Sequence, residues 1–176
     1  ADSWIKLVLA GGKLIQRTGP RLPQEFEEEL QQLHFTNGAD QSLVAAKYAE
    51  AFNHIVSHAT EYNANSFDLS GETARRLLEV LQGHCQPQEL RALDLGNNKK
   101  MDFVLEEMAE QLGRFKGLQQ LKLAVCHQLR GAVAAIAEGF PELKVLDLAG
   151  CTEVTVDLKD LAQLSKLERL DLQGCE

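Results

Sequence analysis

The sequence predicts an α/β fold: a curved solenoid with a concave parallel sheet, helices on its outer side and a helical cap at the N-terminal end. Three observations carry that expectation. The phrases LRALDLGNN, LQQLKLAVC, LKVLDLAGC and LERLDLQGC return with their leucines in phase. Between them, the spacing of apolar residues changes from two toward the helical value of about 3.6. Residues 1–63 lack the phrase but carry helical patterning of their own. A strand-plus-helix unit buries its apolar side only against neighbouring copies, so one shared interior is expected.

The strands come first. Leu90, Leu93 and Leu95 align with Leu118, Leu121 and Leu123, with Leu143, Leu146 and Leu148, and with Leu167, Leu170 and Leu172; the starts are 28, 25 and 24 residues apart. A weaker copy is read at Ala64, Phe67 and Leu69, giving about five strands over residues 64–176, the last unit incomplete. The second and third leucines of each phrase lie two apart, so a short strand turns both inward and the residue between them outward. Three residues beyond the last leucine stand Asn98, Cys126, Cys151 and Cys175, small side chains able to donate to backbone carbonyls where the chain leaves the sheet. The weaker copy has Glu72 in that slot.

Outer helices follow from the longer period. Leu77, Leu78 and Leu81 predict the first; Phe103, Met108, Leu112 and Phe115 the second; Val133, Ile136 and Phe140 the third; Leu158, Leu161 and Leu164 a shorter fourth.

On these phrases the chain resembles the leucine-rich repeat family, in its ribonuclease-inhibitor-like and cysteine-containing branches. LxxLxLxxN is present as LRALDLGNN, and LxxLxLxxC as LQQLKLAVC, LKVLDLAGC and LERLDLQGC. The resemblance covers residues 64–175, with a degenerate first copy and an uneven period as its departures. It implies the roles in which such repeats serve: adaptors, inhibitors, substrate receptors and assembly scaffolds.

Residues 1–63 read as a helical cap or docking segment. LPQEFEEELQQLHF predicts an acidic helix from near Pro23, and a stronger helix follows the turn at Asn37 and Gly38, with Val44, Tyr48, Phe52, Ile55 and Ala59 as its apolar stripe. Such a cap shields the first sheet edge. Trp4, Ile5, Leu7, Val8 and Leu9 form an apolar segment expected to pack into the cap, with docking to another protein and, behind it, membrane association as the alternatives. The sequence stops just past the last phrase, which predicts either a covering partner or further chain.

The formal charge of −8 disfavours nucleic acid and anionic lipid as partners. No apolar run suffices to span a membrane. Cys126, Cys151 and Cys175 occupy equivalent slots, which project alike rather than facing one another, so free thiols are expected, and an intracellular or organellar location rather than secretion.

Candidate chemistry is sparse. Glu50, His54, His58 and Glu61 share a helical side in principle, yet two histidines at this spacing are ordinary on a solvated face. GGK at Gly11–Lys13 lacks the length and the Ser or Thr of a phosphate loop. No enzyme activity, cofactor or metal is expected. The outward strand positions are instead read as a protein-binding surface: Asp68, Asp94, Lys122, Asp147 and Asp171 as a central row, with Gln120, Val145 and Arg169 beside it. The expected function is a non-catalytic interaction or scaffold module for a protein with a basic patch, in some settings within a large complex. The alternative is a structural subunit docking through its termini and outer helices.

Overall fold

The computed structural model describes residues 23–35 and 37–175. The apolar N-terminal segment and Gly11–Lys13 lie outside them. Helices α1 (Pro23–Leu30) and α2 (Gly38–Ser57) come first. Strand β1 (Glu61–Asn63) and helix α3 (Gly71–His84) lead to β2 (Ala92–Asp94). The next stretch is β3 (Phe103–Val104), α4 (Leu105–Gln111), β4 (Gln120–Lys122), β5 (Leu129–Ala132) and α5 (Ala134–Gly139). The last is β6 (Val145–Asp147), β7 (Glu153–Thr155), α6 (Leu158–Leu161) and β8 (Arg169–Asp171).

These strands form two separate parallel sheets, a five-stranded one ordered β1-β2-β4-β6-β8 and a three-stranded one ordered β3-β5-β7. That arrangement corrects the expected fold class: in place of one concave solenoid sheet backed by helices, the chain alternates between two sheets. It also overturns the resemblance to leucine-rich repeats and the solenoid architecture inferred from it. The physical cause lies after the turn. Phe103, Leu129 and Val154 are buried in the core from extended backbone, Phe103 pairing with Leu129 and Val154 with Gly131, so Phe103, expected in a helix, and connecting residues assigned to no element build a second sheet. The helices that remain beside it are short, 7, 6 and 4 residues for α4, α5 and α6. Phe103 and Phe115, assigned by periodicity to one helix, lie in β3 and in the loop beyond α4.

Between the two sheets runs one core. Leu93, Leu121 and Leu146 are paired in register, and each is at most 1% exposed. Phe103, Phe115, Phe140, Met101 and Met108 are fully buried in the same cluster. The first strand departs from the expected alignment. Glu61, Tyr62 and Asn63 pair with Ala92, Leu93 and Asp94, so Tyr62 and Ala64 fill the inward positions assigned to Phe67 and Leu69. The sheet therefore begins before residue 64, inside the section read as a cap. Glu72, no longer in a turn slot, sits in the first turn of α3, whose N-cap Ser70 forms a capping box with Thr73.

Helix α2 is capped by Asn37, whose side chain accepts from the Ala39 amide. It covers the β1 side of the core with Tyr48, Phe52 and Val56, while Val44 and Ile55 of the expected stripe are each 40% exposed. Phe26 of α1 stacks on Tyr48 at 4.1 Å between ring centroids. At the other side of the stack Leu170 is 38% exposed, in a register position where Leu146 is fully buried.

Candidate functional site

The outward face of the five-stranded sheet presents the sequence-predicted residues in strict lateral register. Asp94, Lys122, Asp147 and Asp171 are successive neighbours in one row. Ala92, Gln120, Val145 and Arg169 form the row beside it. Asp68 is the exception: the shifted first strand puts Asn63 at the head of the row and leaves Asp68 in a loop, in a left-handed conformation, paired with Lys100 at 2.8 Å. Asp68 is therefore not part of this surface.

The carboxylates are held by their own strands. Asp94 Oδ1 accepts from the Gly96 amide and from Asn65 Nδ2, both at 3.0 Å. Asp147 Oδ1 accepts from the Ala149 amide, and Asp171 Oδ1 from the Gln173 amide, each at 3.1 Å. This link to the amide two residues on pins each side chain through one oxygen and turns the other toward solvent. Lys122 stands between Asp94 and Asp147, yet its ammonium makes no ion pair among the described residues. A shallow depression of about 80 Å³ opens at this place, lined by Glu61, Asn63, Ala92, Asp94, Gln120 and Lys122.

Beneath the row, the slot residues tie each unit to the one before it. Asn98 is fully buried, donates to the carbonyls of Ala64, Leu95 and Gly96, and accepts from the Leu69 amide. Cys126 Sγ donates to Leu95 O at 3.3 Å, Cys151 Sγ to Leu123 O at 3.1 Å and Cys175 Sγ to Leu148 O at 3.2 Å. Burial raises every one of these thiols, Cys126 to about 11 and Cys151 to about 12. All four cysteines, Cys85 included, are free, as a reducing compartment allows. One residue before each slot the backbone turns left-handed: Asn97, Val125, Gly150 and Gly174 have φ of 59°, 61°, 76° and 81°. Glycine and asparagine accept this conformation readily, but Val125 is β-branched and strained there.

The other candidates do not assemble. Glu50 pairs with Lys47 at 2.7 Å, His58 Nδ1 lies 2.9 Å from the His54 carbonyl, and Glu61 is on β1 rather than on the helix. Among the described residues no group of three or more His, Cys, Asp or Glu is placed to hold a metal ion. No described helix is long and apolar enough to cross a membrane.

Sequence reasoning missed Asn63 and Asn65 and read Glu61 as a helical residue, though all three complete the β1 end of this face. The available signal was the alternation Tyr62, Asn63, Ala64; the leucine template concealed it because an aromatic stands in the aliphatic place. No family model matches the chain, and no curated protein matches it either.

Proposed function

We propose that the chain is a non-catalytic protein-interaction module that receives a basic surface on the outward face of its five-stranded sheet. The observation that carries this reading is the fixing of Asp94, Asp147 and Asp171 by amides two residues on, in the turn that ends each strand. Charges already ordered in the free protein lose little side-chain entropy when a partner arrives. An overall charge of −8 steers such a partner toward the molecule. Gln120, Val145 and Arg169 give the rim polar and aliphatic contacts. The rows contain no Trp, Tyr or Phe pointing outward, so affinity is modest and rests on charge. A scaffold role inside a large intracellular or organellar complex fits the free thiols and this chemistry.

The test is crosslinking and affinity capture with the wild-type chain and with the double variant Asp147→Lys, Asp171→Lys. Basic proteins captured through crosslinks at Lys122, and lost at least tenfold in the double variant, support the reading. A captured set indifferent to the charge reversal ends it.

A second reading, a structural subunit docking by its ends and outer helices, draws on exposed aliphatics away from this face. Leu33 and Leu43 are 59% and 58% exposed beside α1 and on α2, and Leu158 is 76% exposed on α6. Crosslinks confined to those elements favour it.

A further inference from the structure

We infer that the occupant of the outward row is an α-helix lying across the strands, with a basic, acidic, basic, basic order of side chains facing Asp94, Lys122, Asp147 and Asp171. This rests on the reading of that face as a protein-binding surface and adds the conformation and charge order of what binds.

The argument is one of commensurate spacing. Adjacent strands lie about 4.8 Å apart, so the four charges of the row sit at roughly 0, 4.8, 9.6 and 14.4 Å. A helix rises about 1.5 Å per residue, which places positions i, i+3, i+7 and i+10 at roughly 0, 4.5, 10.5 and 15 Å, all on one side of the cylinder. Every charge in the row then meets its own residue to within about 1 Å, inside the reach of a lysine or arginine stem. An extended segment repeats the same side every 6.8 Å or so and puts one residue between Lys122 and Asp147, where the signs conflict.

Two further features favour the helix. Among the described residues Lys122 makes no ion pair although Asp94 and Asp147 flank it in the row; a partner carboxylate at i+3 supplies a counter-charge. One side of the row is low: Ala124 and Ala149 follow it in the turns that end β4 and β6, giving a cylinder about 10 Å across room to approach there, while Asn65 fills the place beside Gly96. Gly96 has no space for a side chain, since a Cβ there meets Asn65 Nδ2 at 2.9 Å and the Ala124 carbonyl at 3.3 Å.

The experiment titrates the chain with three alanine-based peptides at low salt, read by fluorescence anisotropy. The first is helical with Lys, Glu, Lys and Lys at i, i+3, i+7 and i+10; the second has the same composition with Glu exchanged with the lysine at i+7; the third carries the first order but is broken by two prolines. The first peptide is expected to bind at least tenfold more tightly than either of the others. Lys122→Glu reverses the preference toward a peptide with lysine at i+3. Ala149→Gln weakens the first peptide several-fold by blocking approach, with its fold safeguarded because Gln173 occupies the equivalent position in the turn after β8. Equal binding of all three peptides, abolished by the Asp147→Lys, Asp171→Lys pair, overturns the helix and leaves the basic-partner reading standing. Absence of binding by the first peptide overturns the helix as well, and then only the capture experiment decides the basic-partner reading.

Discussion

The five-stranded and three-stranded sheets are made by the same passages of chain in turn, and different interactions hold them. In the larger sheet the backbone ladder overruns the strands: the Leu95, Leu123 and Leu148 amides reach the carbonyls of Lys122, Asp147 and Asp171, and the Asn97, Val125 and Gly150 amides reach those of Ala124, Ala149 and Gln173. Among the described residues the smaller sheet runs past its strands only through the Val133 amide to the Thr155 carbonyl, and side chains add to its pairing. Glu106 accepts from the Ala132 amide at 3.0 Å, Thr155 Oγ1 donates to the Gly131 carbonyl at 3.3 Å, and Arg130 pairs with Asp102. Arg75 lies over the Phe103 ring at 4.6 Å while gripping Glu107 through two hydrogen bonds. Repetition of backbone geometry makes the first sheet regular enough to display charges at fixed intervals. Individual side-chain hooks let the second tolerate an irregular sequence.

Substitutions sharpen this contrast. The largest effect is expected inside the larger sheet, where Leu146→Ala removes a fully buried leucine clamped on both sides and costs about 3–4 kcal/mol in urea unfolding; Leu129→Ala, an equally buried leucine in the smaller sheet, costs about 2 kcal/mol. Equal costs would erase the distinction between the sheets. Next comes Asn98→Ala, which orphans the carbonyl of Ala64 and the Leu69 amide at the passage from one sheet to the other and leaves the Leu95 carbonyl to the Cys126 thiol alone. A loss of about 2–3 kcal/mol is expected, with faster amide exchange at Leu69, and unchanged exchange there would show the amide link to be dispensable. The smallest change runs the other way: Val125→Asn relieves a β-branched residue at φ 61°, matches Asn97 in the preceding unit and raises stability by about 1 kcal/mol in thermal unfolding. A lower melting temperature would mean that the Val125 packing outweighs its strain.

What could be read from the sequence follows the same division. The in-phase leucines at 93, 121 and 146 specify inward positions, and the residue after each specifies the outward row, because strand alternation leaves no other choice. The second sheet was hidden because its inward residues, Phe103, Leu129 and Val154, differ in type and stand five, three and three residues past their slots, so no template phrase links them. The apolar spacing of Phe103 merged with that of the following helix, while Leu129 and Val154 fitted neither phrase nor helix. The first strand was misplaced for a related reason: Leu69 and Phe67 imitate the aliphatic pattern, while Tyr62, buried in the same cluster as Phe52 and Val56, does the work of a leucine. For the candidate surface, the row of Asp94, Lys122, Asp147 and Asp171 was legible as a set, but the pinning of each carboxylate by its own strand was not, since composition carries no information about which oxygen is occupied.

The sulfur atoms give the stack a memory of its own opening. Each thiol keeps its proton on a carbonyl of the unit before it, and burial suppresses the thiolate that an alkylating reagent needs. Modification therefore waits until a particular layer has come apart, and with Cys85, Cys126, Cys151 and Cys175 distributed one to a layer, the order of labelling records the direction in which the molecule frays. Half-exposed Cys175 stands at the start of that sequence of events and fully covered Cys126 near its close.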